Sequence, residues 1–257
     1  GPDSAVPHFT AGHGPGPLIH FSHTHVAGTG GGGRYGNVAV VPYAGPTRLS
    51  GLRHDRVDEV AEPGYYRVTL RPEGSPTGAA GSASSGSCSP DRCGAPGSGI
   101  VVELTVTERV GLHRYRYQVP GSHQVFLDLG AAIHVRGEVP GAGTGGSIGG
   151  WLQTGSPREI WGRGDYRGGW GHGQTYSVFF YLRFDTDAES IVAGNFDGPG
   201  PLSCVDGPAC RASADFGARE TVEVRVGISM VSVAQARSQV EATMDRSFDQ
   251  IRMAARD

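Results

Sequence analysis

Three histidines fall within six positions, His20, His23 and His25, and a glycine-dense stretch follows at once. An imidazole can carry a proton or ligate a metal, so chemistry concentrates here. Read as a strand, Ile19 to His25 alternates, placing His23 and His25 on one face and His20, Ser22 and Thr24 on the other. Imidazoles two residues apart on a strand point the same way and could share a metal, given further His, Asp or Glu ligands from a neighbouring strand. The plainer reading has the histidines hydrogen-bonding loop carbonyls in a buried turn. Gly28 and Gly30 to Gly33 open backbone angles closed to other residues, so the chain can turn sharply or bring its amides close to a ligand. A polar strand end feeding such a loop is where a β-scaffold presents a site.

The remaining chemistry-bearing residues are the cysteines, which fall as two local pairs, Cys88/Cys93 and Cys204/Cys210, both in Gly/Ser/Pro-rich loops. Zinc knuckles use shorter, regular spacings around a shared centre. Two short-loop disulfides are the expectation, and with them an oxidising compartment, meaning secretion or the cell envelope and periplasm. Free loop thiols are the alternative.

These residues need a scaffold, and the composition says which kind. The 257 residues include 43 Gly and 17 Pro, pointing to many turns and little helix. All 22 basic side chains are arginine and the net charge is −3, so there is no basic field for nucleic acid. No apolar run reaches the ~18–20 residues of a membrane-spanning helix.

Residues 1–17 lack periodicity and read as an irregular lead-in, the tail of something begun earlier. A β-domain is expected over 18–231, with strands at Asn37–Tyr43, Gly64–Arg71, Ile100–Thr107, Leu112–Val119, Val125–Leu129, Ala132–Val139, Gly146–Leu152, Thr175–Asp185, Ser190–Phe196 and Glu220–Val231. Arg53–Pro63 reads as a charged surface loop, 72–99 as an exposed Gly/Ser-rich insertion, and Glu159–His172 as an aromatic, glycine-rich stretch. Only the end changes period: Ser232 caps a helix to Thr243, and Phe248–Ala255 is a second amphipathic helix, together a helical linker over 232–257. So many short strands argue for an antiparallel two-sheet β-sandwich.

The order of motifs FSHTHVAGTG, EPGYYRVTL, VELTVTERVGLHRY, FLDLG, GWGHGQTYSVFFYLRFD and VRVGISMVSVAQARSQVEA resembles the amino-terminal domain of glycoside hydrolase family 92, the calcium-dependent exo-α-mannosidases. The resemblance spans roughly 18–257. It implies a galactose-mutarotase-like sandwich followed by an (α/α)6 catalytic domain. That domain would hold the calcium ligands and the catalytic acid and base, so no catalytic or metal-binding residue is expected in this chain. Upstream strands that wall the family's mannose pocket would precede Gly1. The resemblance implies that Ser22, His23, Thr24, His25, Thr29, Gly30 and Gly31 contribute to binding terminal α-mannose. Gly31 stands where the family often has Cys or a bulky residue facing the leaving-group sugar, which bears on linkage preference.

An inverting glycosidase sets two carboxyl groups roughly 6.5–9.5 Å apart with a water between them. Glu62, Glu103, Asp128, Glu138, Asp165 and Asp185 are scattered, and surface or strand-edge roles are expected for each, with Asp128 organising a turn. Trp161 and Trp170, among glycines near Tyr166, could stack on a pyranose ring or close a sandwich edge. The functional expectation is a sandwich domain that supports a catalytic domain and lines one side of its mannose site, inactive alone. The alternatives are a stand-alone carbohydrate-binding module, a His-x-His metal-binding β-domain, or a purely structural domain.

Overall fold

The computed structural model describes residues 2–4, 17–24, 35–45, 53–72, 99–131, 146–168, 174–194, 204–205 and 210–256. In chain order the strands are β1 (Pro2–Ser4), β2 (Leu18–Phe21), β3 (Ala39–Ala44), β4 (His54–Glu62), β5 (Tyr65–Pro72), β6 (Ile100–Val106), β7 (Val110–Tyr117) and β8 (His123–Asp128). They continue with β9 (Gly146–Ser156), β10 (Glu159–Arg167), β11 (Thr175–Phe184), β12 (Ser190–Gly194), β13 (Cys204–Val205), β14 (Arg211–Asp215) and β15 (Thr221–Ser229). Helices α1 (Val233–Glu241) and α2 (Phe248–Arg256) follow.

The strands form one antiparallel path, β12-β14-β8-β3-β2-β4-β5-β6-β7-β15-β11-β10-β9-β13, with β1 added to β2. The path turns at β2, which meets β3 only at Phe21–Val40 and β4 only at Leu18–His54. Beyond that corner the two layers face each other, β3 against β6 and β12 against β9. The expected sandwich is therefore a single hydrogen-bonded sheet wrapped almost closed, with few open edges to protect.

Period-two alternation sorts the side chains. On β7, His113, Tyr115 and Tyr117 face inward while Leu112, Arg114 and Arg116 face outward, as the core memberships and ion pairs show. The inner cluster is filled by residues such as Tyr66, Val102, Tyr115, Phe180 and Val224. A second, outer cluster joins Tyr65, Leu112 and Tyr181 to Ala236 and Val240 of α1 and Phe248 and Ile251 of α2. The apolar faces of the helical linker are thus spent on this sheet. Ser232 caps α1, accepting from Gln235 N at 3.1 Å. Ser247 and Gln250 form a reciprocal capping box at the start of α2, at 2.8 and 3.2 Å.

Several boundaries differ from the sequence reading. Residues Pro2–Ser4 of the supposedly irregular lead-in form β1 on β2. The charged stretch after Arg53 is strand β4 rather than a loop. Its register shifts between Val57 and Val60, Asp58 has φ 54°, and β2 pairs with it only at His54, so most of its side chains are exposed and no alternation survives to be read. The aromatic, glycine-rich stretch is strand β10: Gly162 leaves room for the Phe180 ring and Gly164 for the Tyr166 ring. Strands β13 and β14 lie where no strand was expected. The expected strand at Ala132–Val139 and nearly all of the 72–99 insertion lie outside the described residues.

Candidate functional site

Strand β2 stops at Phe21, so Ser22, His23 and Thr24 leave the sheet and the expected strand alternation ends before His23. They meet residues 36–38, the lead-in to β3, in a clasp. His23 N donates to Asn37 O at 3.0 Å and Gly36 N to Thr24 O at 2.7 Å. Thr24 Oγ1 accepts from Asn37 N at 2.8 Å and Gly36 N at 3.2 Å, and donates to Asn37 Oδ1 at 3.0 Å. Tyr176 of β11 adds a 2.9 Å bond to the same Oδ1. The clasp thus ties together the residues on either side of positions 25–34. His25, Thr29, Gly30 and Gly31 themselves lie outside the described residues.

Beneath the clasp runs a polar chain. His23 Nδ1 lies 2.6 Å from Val38 O, His23 Nε2 lies 3.0 Å from His113 Nε2, and His113 Nδ1 lies 2.6 Å from the Tyr115 hydroxyl. The two imidazoles are stacked, with ring centroids 5.0 Å apart. Burial, and then the neighbouring His23, holds His113 well below the ordinary imidazole range. Val38 is fully buried with φ 53°, a strained conformation for a β-branched residue. Among the described residues no three His, Cys, Asp or Glu side chains gather as a metal cage.

Ser22, His23 and His113 border a cleft of about 520 Å³ at the end of the sandwich. Its rim is the β4–β5 turn, with Glu62 and Tyr65, and the β6–β7 hairpin, with Glu108 and Arg109. Tyr65 is tied into the outer face. Its hydroxyl donates to buried Glu103 at 2.8 Å, and Arg114 grips Glu103 through Nε at 2.8 Å and Nη2 at 3.1 Å. Arg116 adds a 3.0 Å ion pair. Burial alone would raise the Glu103 carboxyl, but the bonds from Arg114 and Tyr65 and the arginine charges outweigh it and hold the group low. Arg252 of α2 lies 3.5 Å over the Tyr65 ring, and Gly64 leaves space for the Ala255 carbonyl. The C-terminal end of α2 therefore packs against Gly64 and Tyr65, two residues of the cleft rim.

Glu103 is thus not a surface carboxylate, contrary to the sequence reading. Asp128 does organise its turn, accepting from Gly130 N at 2.7 Å while holding Arg211 Nε at 2.9 Å. Asp165 pairs with Arg163 and Ser177, and Asp185 accepts from Glu223 N at 2.9 Å. Trp161 lies on β10 against the outer cluster, with the Arg237 guanidinium 5.4 Å from its ring, while Trp170 lies outside the described residues. Cys204 begins β13, paired to Leu152 of β9, and the buried Cys210 sulfur lies 3.3 Å from Gly150 O on that same strand. Cys88 and Cys93 are outside the described residues. Sequence reasoning passed over His113 and Tyr115; the signal was present in LHRYRY, whose alternation sets histidine and tyrosines on one face and arginines on the other.

The profile described as the glycosyl hydrolase family 92 N-terminal domain matches residues 13–229. The chain belongs to this family. Comparison with curated proteins gives no match. Among solved structures, the fold is similar to the family GH92 α-mannosidase BT3965 of Bacteroides thetaiotaomicron, solved with mannoimidazole, at 20% identity and a TM-score of 0.74. It is also similar to the GH92 glycosyl hydrolase ccman5, at 24% identity and 0.68, and to the inverting mannosidase BT2199 of Bacteroides thetaiotaomicron VPI-5482, at 15% and 0.69. Each match covers 99% of this chain but only 30–32% of the other, so the chain spans about a third of those proteins. At these identities the structural likeness establishes the fold of the family 92 N-terminal domain.

Proposed function

We propose that this sandwich serves an inverting, calcium-dependent exo-α-mannosidase, buttressing an (α/α)6 catalytic domain and lining one side of its mannose site. The observation that carries the reading is the family 92 match over residues 13–229. The geometry supports it: Ser22 and His23, which precede the glycine-rich stretch in the chain, line the cleft, and the end of α2 packs against Gly64 of its rim. Within this reading His25, Thr29, Gly30 and Gly31 touch the sugar, and Ser22, His23 and Thr24 hold the stretch that carries them. Trp170 is the stacking candidate; Trp161 faces the helices. Calcium belongs to the catalytic domain.

The same reading places the protein outside the cytoplasm, in the secreted or periplasmic space, with Cys88–Cys93 and Cys204–Cys210 disulfides. Support for the second pair comes from β9, which Cys204 and Cys210 both approach. A net charge of −3 gives no electrostatic reason for a nucleic-acid partner. No helix among the described residues is long and apolar enough to cross a membrane. The test is an assay of residues 1–257 on aryl α-mannosides with calcium. No turnover is expected, and turnover would overturn the division of labour. In the longer enzyme carrying this domain, Thr29→Ala is expected to raise KM, and an unchanged KM and kcat would remove the loop from the site.

A further inference from the structure

The polar chain beneath the clasp has a direction fixed by its own atoms. A carbonyl oxygen only accepts, so His23 Nδ1, 2.6 Å from Val38 O, carries a proton. With His23 neutral, its ring then offers only a lone pair at Nε2. His113 Nε2, 3.0 Å away, must donate to it, which leaves His113 Nδ1 to accept the Tyr115 hydroxyl proton at 2.6 Å. Shifting the tautomer of either neutral ring sets two protons or two lone pairs face to face. Room for the arrangement has been made: Gly111 lies under the His23 ring, where a Cβ would stand 3.1 Å from Cδ2 and 3.3 Å from Nε2. Tyr115 is fully buried, so its hydroxyl has no solvent to turn to.

We infer that His113, held in turn by Tyr115, is the positioning residue of this site: it locks His23 as the Nδ1–H tautomer aimed at Val38 O. Through that bond the strained Val38 backbone, and with it the lead-in from the glycine-rich stretch to β3, keeps its place. The purpose rests on the mannose-site reading; the tautomer lock does not. His23 spends both ring nitrogens inside the protein and works as a strut. Among the described residues, the other titratable or charged groups lining this cleft are Glu62, Tyr65 and Tyr66 from the β4–β5 side, and Glu108 and Arg109 from the β6–β7 hairpin; the charge of the N-terminal amine also bears on His113. Adding a proton would force His113 to donate through Nδ1, turning the Tyr115 hydroxyl away from the acceptor it has in that ring.

The test is long-range ¹H–¹⁵N correlation of the histidine rings in the full 257-residue chain, followed through a pH titration. His23 is expected as the neutral Nδ1–H form and His113 as the neutral Nε2–H form. His113→Phe is expected to release His23 into a mixed, ordinarily titrating imidazole, at about pH 6.5. Tyr115→Phe, a smaller change, is expected to convert His113 to a tautomer mixture. A wild-type spectrum with His23 as Nε2–H, or charged at neutral pH, overturns the proposal whether or not the variants fold. So does a His23 signal unchanged by His113→Phe. None of these readings needs mannoside, so a failed sugar site and a failed tautomer lock give different results.

Discussion

Arg114 on β7 holds Asp249 of α2 through two bonds, of 3.0 and 3.1 Å, while its other edge grips Glu103. One guanidinium thus joins a buried strand carboxylate to a helix. The two partners are unequal, because the Glu103 side chain is 5% exposed and that of Asp249 is 63% exposed. Arg114→Met strands Glu103 in the protein with only Arg116 and Tyr65 to compensate, and is expected to cost about 3–5 kcal/mol. Asp249→Asn breaks a solvated pair and is expected to cost under about 1 kcal/mol. Urea unfolding of the chain measures both, and equal losses would mean that the helix contact, not the buried charge, carries the energy.

Gly64 sets where α2 ends. Its φ is 71°, and a Cβ there would run into the Ala255 carbonyl. Gly64→Ala therefore combines about 1–2 kcal/mol of left-handed strain with displacement of the helix end. The expected result is a lower urea midpoint together with faster amide exchange over 248–256. Gly149→Ala is the control, since nothing lies within 4 Å of the added carbon and its φ is ordinary. It is expected to stay within about 0.5 kcal/mol of the parent.

Glu159 of β10 joins Arg183 at 2.6 Å and Arg237 of α1 at 3.0 Å. Both arginines keep substantial solvent contact, so screening discounts the pairs. Glu159→Gln is expected to cost about 1 kcal/mol, with the loss shrinking in high salt. A salt-independent loss would point to packing of the Glu159 side chain instead.

Legibility followed the period of the pattern. Strands with clear alternation and turn residues at their ends, such as Ile100–Val106, Val110–Tyr117 and Thr175–Phe184, were readable to within a residue or two. The Ser232 cap was readable from a single side chain. Strand β4 was not, since a bulge and a mostly open edge erase the alternation that identifies a strand. The site was half legible: histidines followed by glycines marked the ledge, but the partners of His23 come from Val38 and from His113, 90 residues away. No spacing rule reaches a contact made by wrapping one sheet onto itself. Likewise Glu103 read as a surface acid, because its burial depends on α2 closing over β6 and β5.

His54 occupies the one-residue seam between β2 and β4, paired in register with Leu18. Only 5% of it is exposed, and its Nδ1 has no hydrogen-bond partner among the described residues. Burial lowers its pKa from 6.5 to about 4. The unfolded chain therefore binds more protons than the folded one between those values, so stability must fall as pH falls through that window. The neutral ring contributes in full above about pH 6.5, and the loss reaches about 3 kcal/mol near pH 4. His113, also held low by burial, adds a loss of the same sign. His54→Gln cannot take up that proton, so its stability is expected to fall less steeply between pH 6.5 and about 4, by roughly the His54 share. The measurement is the urea midpoint of parent and variant at several pH values in that range. Parallel pH profiles would show that His54 is already charged in the folded sheet, and that the seam between β2 and β4 is open to water.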